Sequence, residues 1–566
     1  MRKDKIDPIS LEIVKNALQS IAEEMGASLI KAAYSTNIKD RRDCSCAIYT
    51  RSGELVAQAE HIPVHLGVMA NVVKRVLQNQ SLELNKGDAV IHNDPYQGGS
   101  HLSDIMMFSP VFHGDEMVGI VGNLAHHVDV GGMDPGSMPP LAVEHFQEGL
   151  RIPPCKIREN GKLVQSILDI IKANIRTPNI TEKDLLAQTA ANLVGQKRFS
   201  ELAKKYGPEM TVAFMEAILD YSERMMRARI TELPDGKSYF EDFIEGDGFH
   251  DAPIKVCATV EIRDDEIYVD FTGTSPQVKS SINSVDSVTL ASVYYVIKSV
   301  LDPEIPSNSG AYRPIHVTAP EGTVVNAKFP AACSTMNGIT AMRIADVLYG
   351  ALGAMVPERI TAASAGVIHG IGIGGVDPRS GQYYYYMEAI GGGQGAKYNQ
   401  DGMNGVQTNM TNTRNAPTEV IEASYPLRVD HYGLVKDSAG AGTFRGGLGL
   451  TREVTVLGHT GTFSVVADRM LTGPWGFDGG GPGGKAEYLI IKASGQAVKL
   501  PSMGTFEAEP GDKIIVRTSG GGGYGNPLQR NFESIKRDLR EGYVSQEEAV
   551  KSYKVTIQDG ELKKIV

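Results

Sequence analysis

The chain has 566 residues and a mass of 61.0 kDa, too much for one compact core and enough for two to four lobes at roughly 100–200 residues each. With 42% hydrophobic and 22% charged residues it has the balance of a globular protein, which excludes wholesale disorder, a coiled coil and a collagen-like fibre. The net charge of −11, with no long Lys/Arg run and no long uncharged apolar run, argues against nucleic acid as a main partner and against a membrane span.

Glycine is the departure from average: 62 residues, about 11% against a usual ~7%, point to many tight turns and close backbone approaches. Five cysteines make no disulfide framework, and the charged start MRKDKIDPIS has no apolar stretch of a signal peptide. The expected setting is a reducing cytoplasm.

In chain order, Val14, Leu18, Ile21, Met25 and Leu29 recur at spacings of three and four and predict a helix that begins near Pro8 and Ser10. A hairpin is expected next, from Cys44 to Tyr49, through a turn at Ser52-Gly53, to Leu55–Ala59. Val68 to Leu77 predicts a second helix. Ala89 to His92 leads into the loop NDPYQGGSH, and Ile105–Phe112 and Met117–Leu124 form a further hairpin around the turn HGDE. Residues 163–231 read as mostly helical, with Thr181 and Asp184 as a capping box. Strands are expected within 238–275, and helices near 286–301 and 338–355. The run Tyr383 to Tyr386 predicts a strand with alternating buried and exposed rings. Residues 440–520 read as strand and turn, and 529–553 as an amphipathic terminal helix.

The expected fold class is α+β, multi-lobed, with mixed sheets, a helical insertion and a strand-rich carboxyl-terminal region. No βαβ alternation is sustained enough for a doubly wound sheet. The expected lobes are 1–160, 161–235 (helical), 236–430 (α+β) and 431–527 (strand-rich), followed by a helix and tail at 528–566.

Chemistry concentrates near the front. Eight of the 13 histidines lie in the first 150 residues, interleaved with Asp43, Glu60, Asp94, Asp104 and Asp129. Neutral imidazoles with one or two carboxylates suit Zn, Mn or Fe(II), and three protein ligands with an open position suit catalysis. In HLSD, His101 and Asp104 stand three apart at a loop-to-strand junction, and His126 ends the strand expected to pair with Ile105–Phe112. The hairpin would return His126 beside them, either around a metal or as hydrogen-bonding histidines. In EHIPVH, His61 and His65 have the spacing of a helical zinc pair, but Pro63 between them argues for a loop lining a pocket. Glu60 and His61 are the acid/base candidates there.

Two strings imitate nucleotide sites. Gly479 to Lys485 (GGGPGGK) has P-loop spacing, but Ala486 follows instead of Ser or Thr, and a strand follows instead of a helix. The run GIGIGG at 370–375 also lacks its helix. No nucleotide site is therefore expected in this chain. Cys333 reads as a small buried residue. In MTNTRNAPTEVIE, otherwise a solvated loop, Arg414 is a candidate anchor for a carboxylate, carbonyl or phosphate.

The strings RRDCSCAIYTRSGELVAQAEHIPVHLGVM, GDAVIHNDPYQGGSHLSDIMMFSPVF, AHHVDVGGMDPGSMP, MTNTRNAPTEVIEASYPLRV and GDKIIVRTSGGGGYGNP closely resemble the hydantoinase B/oxoprolinase family, in order from about residue 8 to 527. The resemblance implies a B-type subunit that works with an A-type ATPase subunit, as an α2β2-like heterotetramer. ATP and Mg would be bound by the partner, which phosphorylates the substrate oxygen. The B-type chain would then open a cyclic amide (a hydantoin, 5-oxoproline or a lactam) by attack of metal-activated water. Alternatives are a subunit of a ketone carboxylase and a non-catalytic scaffold, and the length of this chain favours hydrolysis. The resemblance carries a metal onto His101, Asp104 and His126, with Asp43 as a fourth ligand, and zinc placed before manganese or iron. Glu60, His61 and His127 are then the catalytic candidates, and His65, Asp94 and Arg414 the substrate contacts.

Overall fold

The computed structural model describes residues 6–59, 62–79, 82–558 and 561–564. Its front is a seven-stranded sheet, antiparallel throughout, whose middle is made by Cys44–Tyr49, Glu116–His126 and Asp104–His113. Both faces are covered. Cys44, Cys46 and Ile48 pack under the helices Pro8–Ala32 and Pro178–Tyr206, while Ala47 and Tyr49 face the core of helices His65–Asn79, Asp286–Leu301 and Thr340–Gly353. Side chains alternate along a strand, and burial on two faces matches the run CSCAIY, apolar but for Ser45.

A four-stranded sheet over Gly236–Ile244, Ile254–Arg263, Glu266–Asp270 and Ile315–Thr318 packs on helix Thr340–Gly353. Its pair Glu266–Asp270 and Ile315–Thr318 runs parallel. Behind it, a four-stranded sheet (Tyr383–Ile390, His369–Val376, Gly461–Val466, Met503–Ala508) faces a five-stranded one that includes Leu450–Val456 and Lys513–Arg517. Ile371, Ile373 and Phe463 meet Val454, Tyr488 and Val516 between them, a sandwich core. The α+β class read from the sequence holds. Among the described residues no helix is long and apolar enough to cross a membrane.

The glycine excess resolves into a network of touching backbones. Gly393 N–H donates to the Ser519 carbonyl (3.0 Å), Gly447 to Gln394 (2.8 Å), Gly521 to Gly447 and Gly440 to Gly521 (2.9 Å each). A Cβ at Gly521 would lie 2.1 Å from the Gln394 oxygen. The P-loop-like string belongs to this network: Gly523 N–H donates to the Gly481 carbonyl at 2.9 Å.

Three local expectations are corrected. The predicted terminal helix is two, Phe532–Arg540 and Gln546–Tyr553, broken where Gly542 takes φ 73°. A hairpin of Val555–Gln558 and Glu561–Lys564 follows them. Tyr384, Tyr385 and Tyr386 are all buried, because their strand is covered on both faces. Thr181 and Asp184 form no capping box; the helix starts earlier, at Pro178, and Asp184 instead accepts the backbone N–H groups of Tyr34 (2.7 Å) and Ser35 (3.2 Å).

Candidate functional site

The hairpin of Asp104–His113 and Glu116–His126 sets Asp104 directly opposite His126. A turn closed by Asp104 N–H on the His101 carbonyl (3.0 Å) folds His101 back over the strand end. Three atoms then face one another: His126 Nδ1 lies 2.9 Å from Asp104 Oδ1, His101 Nε2 lies 3.1 Å from His126 Nδ1, and His101 Nε2 lies 3.2 Å from Asp104 Oδ1. All three residues are 3% exposed. The second Asp104 oxygen accepts the Ser100 hydroxyl and stands 3.8 Å from His65 Nε2, whose Nδ1 meets the Ser45 hydroxyl at 2.9 Å.

This donor set fits a divalent cation. Ligand atoms at ~2.1 Å from an ion and near right angles stand ~3 Å apart, the spacing seen here. His101 Nδ1 lies 2.9 Å from the Ser334 carbonyl, which can only accept, so this nitrogen carries the proton and leaves Nε2 as a bare lone pair. His126 Nε2 is buried and has no hydrogen-bond partner among the described residues. His101, Asp104 and His126 are therefore the residues that would hold the ion, and two imidazoles with one carboxylate accept Zn, Mn or Fe(II) alike.

Burial alone would push the Asp104 carboxyl up, but His101 and then His126 hold it well below the usual carboxylate range. The His101 imidazole is likewise depressed by burial, yet the Asp104 charge and the Ser334 carbonyl raise it overall. His65 goes the other way: burial lowers it against the pull of Asp104. The pocket thus carries a buried negative centre with three imidazoles around it.

The triangle forms one wall of a cavity enclosing about 780 Å3 of space, part of it open to solvent. Its opposite wall is the outer face of the sheet containing His369–Val376, where Gly370 and Gly372 stand beside Ala389 and Met387. Period-two alternation sends Ile371 and Ile373 into the sandwich core and leaves the glycines on the cavity side, where Gly370 leaves space and Gly372 seats Tyr385, whose hydroxyl a Cβ would meet at 2.2 Å.

Of the expected site residues, the cavity brings together Asp43, His65, His101, Asp104 and His126. Asp43 accepts His126 N–H through its own carbonyl (3.0 Å), and its carboxylate lies 3.9 Å from Arg41 Nη2, outside the tight donor triangle. Glu60 and His61 lie outside the described residues. Three expected residues stand outside the cavity lining. His127 does not line the cavity: consecutive strand residues point to opposite faces, so its Nε2 turns to Gln188 Oε1 at 3.0 Å. Asp94 caps the turn Pro95–Gln97 by accepting Tyr96 N–H at 3.0 Å. Arg414 lines a separate depression with Arg42 and Asn415, while Thr411 and Thr413 point into the cavity.

Sequence reading missed Arg41, which is buried at the cavity wall with Nη1 donating to Asn37 Oδ1 (2.9 Å) and the Met387 carbonyl (3.1 Å). Nothing in RRDCSC separates it from Arg42, whose φ of 57° turns the chain between the two. Glu388 also went unread; its backbone is in the cavity wall, while its side chain turns into the sandwich and pairs with Arg452 from the facing sheet.

Two imidazoles and a carboxylate on the wall of a largely apolar cavity define the class, a candidate metal-dependent enzyme centre. The chain belongs to the hydantoinase B/oxoprolinase family, whose model matches residues 7–527. It is 43% identical over 555 residues to an uncharacterised protein of Methanocaldococcus jannaschii, covering 98% of this chain and 96% of the relative. It is 38% identical over 581 residues to the B-type chain of a putative D-/L-hydantoinase from a Pseudomonas species, again covering 98% and 96%. In structure it resembles the ATP-dependent caprolactamase of Pseudomonas jessenii, with a TM-score of 0.92, 31% identity and 98% coverage of both chains.

Proposed function

We propose that this chain is the B-type subunit of an ATP-dependent amidohydrolase that opens a cyclic amide after a partner A-type ATPase subunit phosphorylates the amide oxygen. The observation that carries the reading is the buried His101–Asp104–His126 triangle on the wall of a largely apolar cavity. The names of the hydantoinase chain and of the caprolactamase support it; the first of them, a subunit name, supports a partner, and the assembly we propose is α2β2-like. A partner also suits the fate of the P-loop-like string, whose glycines are committed to backbone packing.

A cyclic amide resists water because resonance deactivates its carbonyl. Phosphoryl transfer to the oxygen gives an imidate with a leaving group. Water then adds to that carbon, the ring C–N bond breaks as the nitrogen takes a proton, and a second water at the same carbon releases phosphate with the former carbonyl oxygen. A divalent ion held by His101, Asp104 and His126 would supply Lewis acidity, polarising oxygen and acidifying water. Arg41 offers the phosphoryl group a positive charge, and His65 a ring contact. Glu60 and His61, which precede the cavity-lining Ile62 in the sequence, are the proposed proton acceptors.

The test is ADP release by the chain reconstituted with its cognate A-type subunit, on hydantoin, N-methylhydantoin, 5-oxoproline, a simple lactam and a ketone, each with and without bicarbonate. ADP release coupled to opening of an amide ring is expected. Turnover confined to the ketone with bicarbonate would replace this reading with a carboxylase.

A further inference from the structure

Behind His101, on the side away from the donor triangle, stands the fully buried Glu148. Its Oε1 accepts the backbone N–H groups of Cys333 (2.6 Å) and Ser334 (2.5 Å). Its Oε2 accepts His145 Nδ1–H at 2.7 Å and the Cys333 thiol at 3.6 Å. A carboxylate has about four acceptor sites, and here four donors fill them. The grouping of His145, Glu148 and Cys333 has the spacing of a metal site. With each acceptor site taken by a proton donor, it works as a clamp.

What the clamp holds is the 333–334 peptide, whose next carbonyl, that of Ser334, receives His101 Nδ1–H at 2.9 Å. The two segments are tied along their length: His145 N–H donates to the Pro330 carbonyl at 2.8 Å, Glu144 and Ala331 form a bridge pair, and the Tyr96 hydroxyl donates to the Ala331 carbonyl at 2.5 Å. We propose that Glu148 is a positioning residue: it fixes the Ser334 carbonyl that keeps the His101 proton on Nδ1 and aims the bare Nε2 at the cation site. The inference rests on reading His101 as a ligand. Outer partners that fix a ligand's tautomer and angle typically change metal affinity 10–100-fold.

The test is Zn2+ affinity of the purified full-length chain, by competition with a chromophoric chelator, for the native protein and the variants E148A, E148D, E148Q and H101A, with thermal melting of each. E148A is expected to weaken Zn2+ binding about 10–100-fold. E148Q, whose carbonyl oxygen still takes the two backbone N–H groups while its NH2 removes the acceptor of His145 and Cys333, is expected to melt lower yet keep Zn2+ affinity nearer to native than E148A, a separation that a role confined to fold stability would not produce. E148D moves the acceptor back by one methylene and serves where E148A does not fold; a folded E148D with weakened binding supports the proposal. Native affinity in folded E148A or E148D overturns it. H101A separates the two levels: if H101A loses Zn2+ while E148A and E148D keep it, the clamp fails and the ligand reading stands. If H101A keeps it, the ligand reading itself fails.

Discussion

Replacing Asp104 with Asn is expected to lower turnover of the reconstituted complex about a thousandfold or more and to strip its bound metal, with the fold intact. The substitution keeps the size of the side chain and a carbonyl oxygen for the Ser100 hydroxyl, but it removes the charge that faces two imidazoles across 2.9 and 3.2 Å. A Lewis acid contributes several kcal/mol to a hydrolytic transition state, and each 1.36 kcal/mol is a factor of ten. Kinetics of the complex, metal analysis of the purified variant and a thermal melt check the three parts separately. A variant that retains metal and turns over at the native rate would remove Asp104 from the site.

Glu388→Ala is expected to produce the largest loss of stability, about 3–5 kcal/mol, because it leaves Arg452 buried without its counter-charge. Glu388 is fully buried, accepts the Tyr386 hydroxyl and Ala416 N–H at 2.7 Å each, and pairs with Arg452 across the sandwich. Arg452 is 1% exposed, with its guanidinium 4.2 Å from the centre of the Tyr432 ring. Removal of the carboxylate strands that charge between two sheets, away from solvent. Urea unfolding checks the value, since a lower midpoint at unchanged slope reads directly as lost stability. An unchanged midpoint would mean that the pair contributes nothing to holding the sheets together.

Both results depend on features that differ in how visible they are in a sequence. The hairpin that joins Asp104 to His126 is legible because its strands are contiguous and its turn, HGDE, is marked; one register then dictates the pairing. The helices at Pro8–Ala32 and Asp286–Leu301 follow from apolar spacing for the same reason, that the signal is local. Phase is harder to read. Choosing between His126 and His127 requires knowing which face of the strand meets the cavity, and a strand buried on both faces carries no polar alternation to say so.

Long-range partners leave no trace at all. Glu148 meets the Cys333 amide across 185 residues, and Arg452 meets Glu388 across 64. The glycine excess was visible as composition, yet only the folded chain shows that Gly393, Gly447 and Gly521 are small because other backbones touch them. Tyr384 to Tyr386 misled for a related reason: alternation of exposure presumes one solvated face, and this strand has none.

The central claim, that the amide oxygen is phosphorylated and then displaced by water at carbon, is tested most directly by labelling the carbonyl oxygen of the cyclic amide with 18O. The complex of this chain with its A-type subunit is supplied with ATP and the labelled ring, and the released phosphate is analysed by mass. The account predicts one 18O atom in each phosphate and solvent oxygen in the new carboxylate. Phosphate free of label, with the 18O retained in the carboxylate, would contradict it.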